Sequence, residues 1–193
     1  MKFLEQPIFF AIILILNNTS PLLAASFDCK KARTDIEKMI CNSSQLSKAD
    51  EQMGIAYKKL RHKLPKSERQ LLLNDQRTWL QERDNVLRTC IEIDCEIQFY
   101  QVRIQQLGPI ERVSFNCQKA ATPLEKMICN SPLLGHVDGR VAKLYKSLQN
   151  ELRDNQHQWL KERDMELARP FCDVECIWQY YKYRIEFLVR YMF

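Results

Sequence analysis

Glu37-Lys38-Met39-Ile40-Cys41-Asn42-Ser43 returns without change as Glu125-Lys126-Met127-Ile128-Cys129-Asn130-Ser131. A recurrence of this kind decides the architecture before any single helix is considered. Working outward, Ser26-Phe27-Asp28-Cys29-Lys30-Lys31-Ala32 precedes the first copy, and Ser114-Phe115-Asn116-Cys117-Gln118-Lys119-Ala120 precedes the second. Downstream, Gln76-x-x-Trp79-Leu80-x-Glu82-Arg83-Asp84 matches Gln156-x-x-Trp159-Leu160-x-Glu162-Arg163-Asp164. Each copy closes on two cysteines, an aromatic stretch and Arg-Ile (Arg103-Ile104, Arg184-Ile185). The chain is a tandem duplication, with repeat 1 over residues 26–108 and repeat 2 over 114–193. Between them Gly108-Pro109 supplies a helix C-cap and a stop.

The expected fold is all-α: two tandem disulfide-stapled four-helix units, each built on an antiparallel helical hairpin. Only 4 glycines occur, and Leu, Lys, Glu, Gln and Arg are strong helix formers. Thr34-x-x-Glu37 and Thr122-x-x-Glu125 are capping boxes for a short first helix, with Pro123 in the favoured first turn. The second helix carries Leu46, Met53, Tyr57, Leu60 and Leu64. Ser67-x-x-Gln70 offers a cap for the third, whose seam runs Leu72, Gln76, Trp79, Arg83, Val86, Cys90. The fourth presents Ile97, Tyr100, Ile104 and Leu107, matched by Ile177, Tyr181, Ile185 and Leu188.

Residues 1–25 read as a secretory signal peptide: Lys2, an unbroken apolar run from Ile8 to Leu16, then Leu23-Ala24-Ala25 ahead of a cut. The run is too short to span a bilayer core, which needs about twenty residues. The expected location is therefore periplasmic or secreted, without a membrane span. Cys29, Cys41, Cys90, Cys95, Cys117, Cys129, Cys172 and Cys176 all lie beyond the leader, and an even count in an exported chain reads as disulfides. No cofactor or metal is called for. Losing Lys2 and Glu5 together leaves the formal charge at +5. That excess favours an anionic partner, and export disfavours nucleic acid.

Gln76 and Arg83 share a stripe with Trp79, as Asp50 does with Leu46, Met53 and Tyr57. Burying such groups unpartnered costs several kcal/mol. Facing positions in an antiparallel hairpin have a constant sum, so setting Asp50 opposite Arg83 also sets Tyr57 opposite Gln76, Leu46 opposite Leu87 and Gly54 opposite Trp79. The second copy gives Asp138 with Arg163, Tyr145 with Gln156, Leu134 with Leu167 and Ala142 with Trp159. This complementarity favours a buried structural network over an active site. The same register places Cys41 between Cys90 and Cys95. Both bridges of a repeat are accordingly expected to tie the first helix to the helix three–four corner, the pairing staying open.

The pattern F-[DN]-C-x2-A-x4-E-K-M-I-C, then Q-x2-W-L-x-E-R-D and two further cysteines, resembles the N-terminal domain of the LprI-type lysozyme inhibitors. The resemblance covers both repeats. It implies a helical, exported binding protein whose partner is lysozyme or another cell-wall hydrolase. The family's founding member is a lipoprotein, whereas no lipobox precedes Cys29 here. Animal-type lysozymes are strongly basic, as this chain is mildly.

Nothing points to an enzyme: there is no P-loop, H-E-x-x-H or nucleophile elbow. His62, His136 and His157 have no counterparts across the copies and read as surface residues. Glu82 with Asp84, and Glu162 with Asp164, lie two apart and point away from each other, as on a solvated face. Two contact surfaces stand out. One is the helix one–two loop, Asn42 to Gln45 and Asn130 to Leu133, or the hairpin tip at Pro65, as a plug for a hydrolase cleft. The other is the basic tip, Lys58, Lys59, Arg61, Lys63, Lys66 and Arg69, with only Glu68 opposing. That tip suits a non-inhibitory envelope adapter binding an anionic cell-wall polymer.

Overall fold

The computed structural model describes residues 25–169 and 171–192. The expected leader, residues 1–25, lies outside the described residues except for Ala25. Within them the chain is wholly helical. Repeat 1 holds α1 (Asp35–Asn42), α2 (Ser44–Lys63), α3 (Lys66–Thr89) and α4 (Ile93–Leu107). Repeat 2 holds α5 (Pro123–Asn130), α6 (Pro132–Leu148), α7 (Arg153–Leu167) and α8 (Val174–Arg190). A single 3-10 turn precedes the first helix of each unit, at Cys29–Lys31 and Cys117–Lys119.

Local chemistry sets these limits. Thr34 Oγ1 accepts from Glu37 N at 3.1 Å while Glu37 Oε2 accepts from Thr34 N at 2.9 Å, and Thr122 with Glu125 repeats both bonds. These two boxes satisfy orphan donors at the helix starts. Ser43 and Ser131 each act twice, closing one helix and capping the next with Oγ. The expected helix one–two loop is thus a single residue. Asn42 belongs to α1 and Gln45 to α2, and Leu133 of the second junction is fully buried. The expected cap at Ser67 is also displaced, because α3 already begins at Lys66 after Pro65, whose fixed φ suits a helix start.

The core runs continuously through both units, from Ile36, Ile40, Leu46 and Leu72 to Leu134, Ile177, Tyr181 and Leu188. The long helix α2 packs most closely on α4, and α6 on α8, with α3 and α7 meeting them more loosely. The units join through α4 and α8. Gly108 closes α4, its nitrogen donating to Ile104 O at 2.7 Å. A Cβ there would stand 2.8 Å from Arg140 Nε, so the missing side chain lets Arg140 of α6 reach the end of α4. Arg140 Nε then donates to Gln105 O at 3.1 Å.

The four disulfides correct the expected wiring. They join Cys29 to Cys41, Cys90 to Cys95, Cys117 to Cys129 and Cys172 to Cys176. Each closes a local loop. One staples the 3-10 turn to the end of the first helix, and the other staples the corner between third and fourth helices. The hairpin register brought Cys41 level with the corner but did not show that the turn at Cys29 lies nearer still.

Candidate functional site

Asp50 is fully buried at the centre of repeat 1. Its Oδ1 accepts from Arg83 Nη1 at 3.3 Å and from Tyr100 Oη at 3.0 Å, and its Oδ2 from Ser26 N at 2.8 Å. In repeat 2 the corresponding tyrosine stands between the charges. Tyr181 Oη donates to Asp138 Oδ1 at 3.2 Å and accepts from Arg163 Nη1 at 3.1 Å. Ser114 N reaches Asp138 Oδ2 at 2.7 Å. Burial raises the pKa of both tyrosines, and the neighbouring aspartate adds to it, so each remains a hydrogen-bond donor.

Gln76 and Gln156 serve a second pair of sites. Arg103 Nε and Nη2 donate to Gln76 Oε1 at 3.1 and 2.7 Å, and Arg184 does the same to Gln156 at 3.2 and 2.6 Å. Gln76 Nε2 points at Met53 Sδ, 3.2 Å away. The expected Tyr57–Gln76 and Tyr145–Gln156 bonds are therefore not the ones formed, and both tyrosines are half-buried against the core. Trp79 stacks on Phe99 with centroids 5.5 Å apart and meets Tyr100 edge-on at 5.4 Å, while Ser26 occupies the space beside Gly54. A fourth-helix signal was present in the sequence: Tyr100-x-x-Arg103 recurs as Tyr181-x-x-Arg184, one helical turn apart on one face.

Beneath Arg103 the repeats differ. Its Nη1 pairs with Asp75 Oδ2 at 2.8 Å, whereas Arg184 Nη1 meets the neutral Asn155 at 2.7 Å. Asp75 then crosses to repeat 2 and pairs with Lys182. Burial raises the Asp75 pKa, but Arg103 and Lys182 override that and leave it below the ordinary carboxylate range. Two more buried groups bridge the units. Glu68 accepts from Leu133 N at 2.9 Å, at the start of α6. His136 is buried, not on the surface as expected. Its Nδ1 accepts from Glu111 N at 3.4 Å and its Nε2 lies 3.0 Å from Gln106 O. Burial lowers its pKa to about 4, and Arg140 adds to that. His62 and His157 are exposed.

These interior groups are tied to one another and offer no solvent-open nucleophile or base. Among the described residues no cluster of His, Cys, Asp or Glu is able to hold a metal ion. No described helix is long and apolar enough to cross a membrane.

The surface carries three distinct features. Lys58, Lys59, Arg61, Lys63, Lys66 and Arg69 are all exposed at the first hairpin tip, and Glu68 is turned inward to α6. Asn42 and Gln45 are exposed but sit on helix ends, with no protruding loop between them. The stapled corners were not singled out by sequence. On the Cys90–Cys95 corner Ile91 is 99% exposed beside exposed Glu92 and Asp94. On the Cys172–Cys176 corner Phe171 is 94% exposed beside exposed Asp173 and Glu175. The sequence signal was an apolar residue adjoining a cysteine and followed by two acidic positions, where no helical face claims it.

The chain is thus a duplicated, disulfide-stapled helical protein whose interior polar groups are bonded to one another and whose stapled corners carry exposed apolar and acidic side chains. The profile of the lysozyme inhibitor LprI family matches residues 29–107 and again 116–188. The chain belongs to that family. It is 30% identical over 93 residues to "Lipoprotein LprI" of Mycobacterium bovis and to the same-named protein of Mycobacterium tuberculosis. Those matches cover 48% of this chain and 45% of each relative, so the chain spans under half the length of the curated relatives it matches. No solved structure gives a significant match.

Proposed function

We propose that the chain is an exported inhibitor of a lysozyme-like cell-wall hydrolase, its leader removed after Ala25 and its two corners serving as the contact surface. The observation that carries this reading is the match of both repeats to the lysozyme inhibitor profile. The corners supply a physical means. A disulfide that pins a short loop removes ordering entropy otherwise lost on binding. Ile91, inside the Cys90–Cys95 loop, and Phe171, next to Cys172, are exposed apolar side chains of the kind that anchor in a pocket. The acidic neighbours Glu92, Asp94, Asp173 and Glu175 complement a cationic hydrolase, which favours fast encounter. A net charge of +5 does not prevent this at the first corner, since the exposed cluster of Lys58, Lys59, Arg61, Lys63, Lys66 and Arg69 lies at the other end of α3 from Cys90.

The test is lysozyme clearing of a bacterial cell-wall suspension with and without purified protein. The native chain slows clearing, and Ile91→Ser with Phe171→Ser removes that effect while the melting curve is retained. Unslowed clearing by the native chain rejects the reading. A second reading is favoured by the inward turn of Glu68, which leaves the basic tip without its expected counter-charge. In it the chain is an adapter that holds an anionic envelope polymer. A salt-sensitive pull-down on cell-wall material, lost when Lys59, Arg61, Lys63 and Lys66 become Gln, separates the two.

A further inference from the structure

Ser26 is held at two points. Its nitrogen donates to Asp50 Oδ2 at 2.8 Å. Its side chain lies so close to α2 that a Cβ on Gly54 would stand 2.6 Å from Ser26 Cβ. The carboxylate it meets is incompletely balanced. Arg83 is the nearby cation, and it is shared: Nη2 and Nε reach Asp84 Oδ1 at 2.6 and 3.0 Å, against 3.3 Å from Nη1 to Asp50. Two carboxylates thus divide one guanidinium, and the spare negative charge faces the Ser26 nitrogen.

Repeat 2 makes the same contact from Ser114 N to Asp138 Oδ2. There the linker residues Arg112 and Val113 precede the serine, so its nitrogen is always a neutral amide. In repeat 1 the preceding residues are Ala24-Ala25, which read as the end of a leader.

We infer that Asp50 is the docking site for the chain's own processed N-terminus. Water adds across the Ala25–Ser26 peptide bond, the carboxylate leaving with Ala25. The freed Ser26 amine takes up a proton and stays against Asp50 Oδ2 as an ammonium. The ligand class is an α-ammonium group, and the second half of the molecule keeps the amide version as an internal control. The inference rests on leader removal, but not on the choice of hydrolase or polymer as partner.

The experiment begins with N-terminal sequencing of the exported protein, which yields Ser26 as the first residue. Competitive acetylation with acetic anhydride at pH 7 then labels the Ser26 amine at least tenfold more slowly than in a free peptide Ser-Phe-Asp-Cys. Asp50→Asn restores the peptide rate. Since that variant risks failing to fold, a second chain keeps Asp50 and begins one residue earlier, at Ala25, and it melts below the Ser26-start chain. A start at Ala25 or Phe27 overturns the docking alone, and an uncleaved chain or a start elsewhere overturns the leader reading with it. A Ser26 start with peptide-like labelling, or equal melting of the two chains, overturns the docking alone.

Discussion

Replacing Asp75 by Ala leaves two cations short of a partner. Arg103 is wholly buried, and its side chain would retain only the oxygens of Gln76 and Gln106, at 2.7 to 3.3 Å. Lys182, 17% exposed, would retain Gln179. Removing one member of a buried ion pair costs about 3–5 kcal/mol because the other is stranded. For a chain of this size that lowers Tm by on the order of 10 °C, at about 2–4 °C per kcal/mol. Asp75→Asn is the sharper probe, because repeat 2 already holds Asn155 against Arg184 at 2.7 Å. A neutral acceptor therefore fits, and the loss should fall to about 1.5–3 kcal/mol, the net value of a hydrogen bond to a charged group. Acid adds a signature. The folded carboxyl titrates below its unfolded value, so its contribution is complete above about pH 4 and fades as pH falls through the folded pKa. Asp75→Asn should flatten that part of the stability profile. The assay is urea unfolding followed by circular dichroism from pH 2.5 to 7, with Lys182→Gln completing a double-mutant cycle. Losses below about 1 kcal/mol for both Asp75 variants, or no coupling to Lys182, would refute a charge pair across the repeats.

The buried His136 should titrate near pH 4 in its C2-proton NMR signal; with 6.5 as the unfolded value, its neutral form stabilises the fold fully above pH 6.5, and up to about 3 kcal/mol disappears by pH 4. His136→Gln should remove that slope, and a signal titrating near pH 6.5 would deny its burial. Non-reducing peptide mapping should recover Cys29 with Cys41 and Cys117 with Cys129; any peptide joining residues 29–41 to 90–95 contradicts the local stapling. Opening the Cys90–Cys95 bridge by double serine substitution should cost about 2 kcal/mol, as its short loop implies, and should weaken lysozyme inhibition by at least tenfold through loss of loop order. Unchanged inhibition would move the contact away from that corner.

The fold was legible because it was written twice. Both capping boxes, the seams and the terminal aromatic stretches could be checked against a second copy, and helix limits followed from Thr34, Thr122, Pro123 and Gly108, whereas the capping serines Ser43 and Ser131 were not foreseen. Pairing across the hairpin brought Asp50 to Arg83, but a two-helix register has no place for a third helix. α4 supplies Tyr100 and Arg103 to the same interior, so Gln76 turned to Arg103 and Tyr57 stayed at the margin. His136, expected on the surface, and Glu68, expected to oppose the basic tip, turn inward for a related reason. Their partners, Gln106, Glu111 and Leu133, lie in the other repeat or the linker, and periodicity within one helix carries no information about a neighbour that far along the chain. The corner residues Ile91 and Phe171 were invisible to a search for buried patterns because they are the residues the core leaves out.

The ion pair from Asp75 to Lys182 makes the two halves unequal in a way that their shared motifs conceal. Position 182 is matched in the first repeat by Gln101, and position 75 in the second by Asn155. Two copies of repeat 1 brought together as repeats 1 and 2 are here would set each Asp75 against a neutral glutamine, and two copies of repeat 2 would set each Lys182 against a neutral asparagine. Only the unlike pair forms this ion pair across the seam: in two copies of repeat 1 each Asp75 would keep its own Arg103, whereas in two copies of repeat 2 each Lys182 would face no carboxylate. Replacing either half by a second copy of the other therefore removes the cross-seam ion pair, and doubling repeat 2 also leaves two lysines at the seam without a carboxylate.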